Sequence, residues 1–197
     1  MGYSLSWAAV QGGTLRMICD ACNLHPTGAR EEIAESKIDA AEIPGGWYLV
    51  LFNQQEIDDR LLAKLSAKGE VVSCFVEDHV MYSSAAGWNR GKQVWKVFHD
   101  CEKGRYHLDV AGAPPAELEE IRRKLTREQE AAGGEKADVD FIYDAPAEVA
   151  KSLTGFRHDQ DIEGMVGEVY HVLEPVLQGF AKGPLSRLGS VFRGNKQ

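Results

Sequence analysis

Between Glu70 and Val110 the chain reads EVVSCFVEDHVMYSSAAGWNRGKQVWKVFHDCEKGRYHLDV, and this stretch limits the possible folds more than any other. Val71, Val72, Phe75 and Val76 form a short apolar run of the kind found in a strand buried on both faces. After Glu77-Asp78 a more polar strand resumes from His79. Asn89-Arg90-Gly91 signals a turn, and Lys92 to His99 returns with the β formers Val94, Trp95, Val97 and Phe98. Beyond Lys103-Gly104, Tyr106, Leu108 and Val110 alternate with His107 and Asp109, the period of a half-buried strand. The stretch therefore predicts a meander of three or four antiparallel strands.

The register of the first hairpin decides where its histidines point. A two-residue loop at Asn89-Arg90 sets Val80 opposite His99. A three-residue loop ending in a left-handed Gly91 sets Met81 there instead, with His79 on the same side. Gly91 favours the three-residue loop, although a slip of one residue reverses every facing.

Around the meander, Tyr3 to Val10 predicts a first strand. Thr14 is a suitable N-cap for a helix ending near Asn23, and His25-Pro26-Thr27-Gly28 stops it. Residues 29–46 are acidic and weakly patterned, which predicts an irregular connection with at most one short strand. Trp47 to Phe52 predicts a buried strand. Asp58 or Asp59 can cap a helix carrying Leu61, Leu62 and Leu65. Pro114-Pro115 opens a long surface helix with a narrow Leu118, Ile121, Leu125 stripe. Val139 to Tyr143 reads as a strand, and Asp144 as the cap of a helix leaving at Gly155. Met165 to Leu177 has a helical pattern that Pro175 should kink or end.

Strands interspersed with helices predict an α+β fold: a mainly antiparallel mixed sheet with a central β-meander, helices packed on one face, and a C-terminal helical segment. The opening order also permits a ferredoxin-like beginning. The expected division is one α+β domain over 1–180 and a flexible basic C-terminal tail over 181–197.

At 197 residues the chain can bury a substantial core. A formal net charge of −8 argues against a nucleic-acid or anionic-membrane partner, since both need clustered Lys and Arg. No cationic leader precedes the short, mixed apolar run at the N-terminus, so no secretory signal is expected. No stretch approaches a membrane span. The match of Gly2 and Ser6 to a myristoylation string is superficial. Four cysteines in a chain this long do not make a disulfide scaffold, so the expected location is the cytoplasm.

Cys19-Asp20-Ala21-Cys22 is a C-x-x-C inside a predicted helix. A redox pair needs its first cysteine at the helix N-terminus, so two small core residues are the simpler reading. Cys74 and Cys101 form no second such pair, and no metal or cofactor is expected. His79, His99 and His158 each neighbour a carboxylate in sequence (Asp78, Asp100, Asp159), the residue types of a general base or a ligand held by an acid. Ser83-Ser84 lacks a nucleophile elbow, and no phosphate loop is present. The loop Gly155-Phe156-Arg157-His158-Asp159-Gln160-Asp161 is the densest polar cluster, and Trp88 and Arg90 at the hairpin tip are residue types that anchor interfaces.

Two functions follow as expectations. The first is a non-enzymatic protein-interaction module, inhibitor- or immunity-like, that meets a basic partner through Trp88, Arg90, Arg157, His158 and Asp159. The second is a small enzyme or metal-binding protein using His79, His99, Asp100, His158 and Asp159. The second requires at least two of the histidines to converge, and the first requires Trp88 to be exposed.

Overall fold

A computed structural model describes residues 2–162 and 164–176. The first strand, β1 (Ser4–Gln11), is the centre of the molecule. It pairs antiparallel with β4 (Trp47–Asn53) on one side and β5 (Glu70–Glu77) on the other, in the registers Trp7↔Leu51 and Trp7↔Cys74. Outward from β5 the meander continues through β6 (Tyr82–Asn89), β7 (Lys92–Asp100) and the short edge strand β8 (Asp109–Gly112). Outward from β4 lie β3 (Ile38–Ile43), β9 (Tyr170–Pro175) and the other edge strand, β2 (Leu24–Glu31). Among the described residues the sheet thus has nine strands, ordered β2-β9-β3-β4-β1-β5-β6-β7-β8, every neighbouring pair antiparallel. The fold is α+β and mainly antiparallel, as its sequence predicts.

The helices do not share one face. In β1, Leu5, Trp7 and Ala9 join one core while Ala8 and Val10 join another, because successive side chains leave a strand on opposite sides. Both sides therefore need cover. Helices α1 (Leu15–Cys22) and α2 (Asp59–Leu65) cover the second, through Ile18, Leu62 and Leu65. Helices α3 (Leu118–Ala131) and α4 (Ala145–Thr154) cover the first, through Leu118, Ala147, Val149 and Ala150. No ferredoxin-like order forms. What forms is a split β-α-β unit, β4-α2-β5, with β1 between its strands.

Local signals explain most helix ends. Thr14 Oγ1 accepts from Met17 N, and Asn23 adopts the left-handed conformation that closes α1. Asp58 Oδ1 accepts from Leu61 N at 2.8 Å. Gly155 (φ 75°) terminates α4. Asp144, however, does not cap α4, because its carboxylate is drawn to Arg157 instead.

Three further expectations are corrected. Residues 29–46 contain the end of β2 and the whole of β3. Residues 139–141 form no strand but a loop leading into a 3-10 turn at Ile142–Asp144. Buried Gln129 holds that loop, donating to Gly134 O and Val139 O and accepting from Phe141 N. The C-terminal helical segment is instead β9, inserted between β2 and β3 and ending at Pro175, where the chain no longer needs a ladder donor. Leu177 and the tail over 181–197 lie outside the described residues.

The first meander hairpin turns through Arg90 and Gly91, both left-handed (φ 50° and 76°), as a two-residue loop of the primed type. A bulge follows, Gly87 facing Trp95 and Trp88 facing Gln93, so that Ser83 comes opposite His99. Neither register expected from sequence is realised. The Trp95 indole lies across Gly87, where an added Cβ would come within 2.0 Å of its nitrogen. Gly87→Ala is accordingly expected to destabilise the protein by about 1–3 kcal/mol, the usual cost of overpacking, measurable by urea denaturation.

Candidate functional site

Where the β5–β6 turn meets the loop after α4, the structure places a small cavity of about 160 Å³ lined by Tyr3, Val76, Asp78, Tyr143, Asp144, Ala147, Arg157, His158 and Asp159. Each wall comes from a different element. Asp78 follows β5, where its Oδ2 accepts from Tyr3 N at 2.7 Å and its Oδ1 from the Tyr143 hydroxyl at 2.6 Å. Burial and this bond to Asp78 raise the Tyr143 phenol well above its ordinary range, so it stays a neutral donor.

Arg157 is the electrostatic centre of the site. Its guanidinium meets Asp144 at 2.9 Å, Asp159 at 2.7 Å and Glu148, and only 10% of its side chain is exposed. Burial raises the Asp144 carboxyl despite the guanidinium beside it. A guanidinium held by three carboxylates is no free anchor for a partner. It fixes the loop to α4.

His158 stands edge-on to Tyr3, ring centroids 4.8 Å apart, and its Nδ1 is buried without a hydrogen-bond partner. Burial holds this imidazole below its ordinary value, against the pull of Asp159 and Asp78, so it is uncharged at neutral pH.

The other histidines lie elsewhere. His79 sits in the β5–β6 turn with its side chain 71% exposed, bonded to Glu77 Oε1 at 2.8 Å. His99 is completely buried on β7. Its Nδ1 lies 2.8 Å from His107 O, a carbonyl that can only accept, so the ring hydrogen is on that nitrogen. Its Nε2 lies 3.2 Å from Asp140 Oδ2, out of line for a hydrogen bond. Asp100, its sequence neighbour, points to the other face and accepts from Glu102 N. The Asp100 backbone N–H donates to His107 Nδ1 at 3.0 Å, and His107 Nε2 comes within 3.0 Å of Asp109. The real partners of His99 are therefore His107 and Asp140, neither adjacent to it in sequence.

The residues expected to form an interface also separate. Trp88 is only 6% exposed and packs in the core beneath α2. Exposed Arg90 lies beyond it, at the far end of β6 from Asp78 and His158, about 23 Å along the strand. Only Arg157, His158 and Asp159 come together, joined by Asp78, which the sequence pairs with His79 instead, and by Tyr143 and Asp144, to which it assigns no site role.

Nucleophilic chemistry finds no support in this arrangement. Ser83 Oγ donates to Tyr143 O at 2.6 Å, and Ser84 faces the opposite side of the sheet. The C-x-x-C thiols carry no redox poise, since burial pushes Cys22 up to about 12 and also raises Cys19. Among the described residues no three His, Cys, Asp or Glu side chains gather to hold a metal ion. No described helix is long and apolar enough to cross a membrane.

The chain matches no protein-family model, no curated protein and no solved structure.

His99 ties the meander to the segment before α4. His99→Ala empties a fully buried ring site, leaves the His107 carbonyl without its donor and removes the close contact with Asp140, and is expected to cost about 3–5 kcal/mol, as for other large buried side chains truncated to alanine. Equilibrium unfolding in urea measures this. A loss under about 1 kcal/mol would show that the pair is not a structural tie.

Proposed function

We propose that this chain is a non-enzymatic binding module, inhibitor- or immunity-like, that receives a cationic side chain of a basic protein partner at the 155–161 loop. The observation that carries this reading is the charge around the cavity. Asp78, Asp144 and Asp159 line it against the single guanidinium of Arg157, which is already engaged, and His158 is uncharged. An opening of about 160 Å³ is smaller than the usual metabolite pocket but accommodates the end of a lysine or arginine side chain. The net charge of −8 favours encounter with a basic surface and disfavours nucleic acid. Four free cysteines suit a cytoplasmic setting, and the reading needs no cofactor. Trp88 and Arg90 have no part in it.

A second reading, a small enzyme, is favoured by one observation: a neutral imidazole with an unpartnered Nδ1 opens on the same cavity. His158 would be its base, without His79, His99 or Asp100.

Capture of partners from lysate, followed by affinity measurement, separates the two. Asp159→Lys is expected to weaken association with a basic partner at least tenfold, about 1.4 kcal/mol, with affinity falling as salt rises, while Arg90→Ala leaves it unchanged. Loss of binding in the Arg90 variant alone would move the interface to the hairpin tip. Turnover that depends on His158 would establish the enzyme instead.

A further inference from the structure

Asp39 is the most anomalous side chain in the sheet. It lies on β3 between Leu51 of β4 and Val172 of β9, is 0% exposed, and among the described residues neither carboxylate oxygen has a hydrogen-bond partner. No ion pair among the described residues includes it. An ionised carboxylate in such a place is strongly disfavoured, and the group takes up a proton instead.

Its surroundings favour the neutral form. On β9, Tyr170 lies two residues from the registered partner Val172 and on the same face, and Glu31 of β2 stands opposite Tyr170. The Glu31 carboxylate accepts from the Ser36 hydroxyl and from the backbone of Glu35 and Ser36, which holds it below its ordinary value and keeps it charged. Asp161, from the loop after α4, also acts on Tyr170. From β4 the registered neighbour is apolar Leu51. The nearest cation in register, Arg30, is engaged with His171 on the opposite face of β9. Among the described residues Glu31 is thus the one charged group that acts on Asp39, and no cation offsets it. Burial first, and Glu31 second, push the Asp39 carboxyl up to about 7, against a smaller lowering pull from the Ser36 backbone.

The position of this acid in the topology gives its protonation a mechanical meaning. β9 is the last of the described strands in chain order, inserted between β2 and β3, and it meets β3 in only two registered pairs, Asp39↔Val172 and Ala40↔His171. One of the two is the acid itself. We propose that Asp39 is a proton-operated latch on β9: protonated, it lets the strand stay seated between β2 and β3, and ionised, it releases the β3–β9 seam. The released strand would expose an edge of β3, a ready template for pairing with another strand. This device is independent of what the 155–161 loop binds.

The direction follows from linkage. An acid whose value is higher in the closed state than in water stabilises that state fully below 3.8, and the contribution is lost as pH rises through about 7. Hydrogen exchange at single-residue resolution, corrected for the intrinsic rate, tests this on the full chain. Between pH 5.5 and 8 the amides of residues 170–175 are expected to lose about thirtyfold in protection, from values of 3.8 open and about 7 closed. Those of β1 should keep theirs. Asp39→Asn should remove the pH dependence and leave β9 protected at pH 8. Equal loss in β9 and β1 would show global unfolding and overturn the latch, as would unchanged protection in β9 or persistence of the effect in Asp39→Asn. Should that variant fail to fold, the wild-type contrast between β9 and β1 decides alone.

Discussion

The fold rests on β1 being buried on both of its faces. Six consecutive residues, Leu5 to Val10, are inaccessible to solvent, and their alternation sends Trp7 to one side and Ala8 and Val10 to the other. The Trp7 indole stands edge-on against Phe156, ring centroids 5.1 Å apart, so the α4 layer and the loop after it are seated on β1. That loop carries Arg157, His158 and Asp159. The candidate site is therefore a consequence of how the central strand is covered: the same packing that buries Trp7 delivers three polar residues to the end of β5.

The sequence made the elements legible where burial and periodicity agree. The meander strands, β1, β4 and the starts of α1 and α2 all combine an apolar period with a cap or turn residue, and each lies where it is expected within a residue or two, apart from the late starts of β6 and β8. β8 begins at Asp109 instead of near Tyr106 and is exposed where the alternation predicts a half-buried strand. β2 was hidden for the opposite reason. LHPTGARE is almost wholly exposed, and its Pro26 and Gly28 are residues that an edge strand tolerates and an internal one does not. β9 was misread because valines at 166, 169, 172 and 176 imitate a helical stripe, whereas in the sheet only Tyr170 and Leu173 of that strand are fully buried. A short apolar run cannot declare its own period when its partners lie more than a hundred residues earlier in the chain.

The site was less legible still, and for a geometric reason. Pairing each histidine with its adjacent aspartate treats neighbours in sequence as neighbours in space. Within a strand they are the reverse, which is why His99 turns inward to Asp140 while Asp100 turns outward to cap a turn. In a loop the rule relaxes, so Arg157, His158 and Asp159 do share one cavity. Trp88 misled in the same way. Two residues from a turn it looks like a tip residue, yet the bulge at Gly87 and the tight Arg90-Gly91 loop place its ring beneath α2.

Two groups of carboxylates in this molecule face the same physical problem and meet it differently. Asp144, Glu148 and Asp159 are gathered around Arg157, so each ion has a counter-ion and the cluster can be partly buried without a large loss. Asp39, among the described residues, is given no cation and only a weak pull from the Ser36 backbone, and has charged Glu31 two strands away. Asparagine fills nearly the same volume with no charge to bury, so packing alone gives no reason for an acid there. The chain is acidic overall, but long-range charge does not distinguish these places, because its effect on a buried group is small beside local desolvation. What distinguishes them is topology. The satisfied cluster fastens a loop that must hold its shape to present a cavity, and the unsatisfied acid sits on the seam of a strand held to β3 by two registered pairs, where an interaction that can be switched off has a structural consequence.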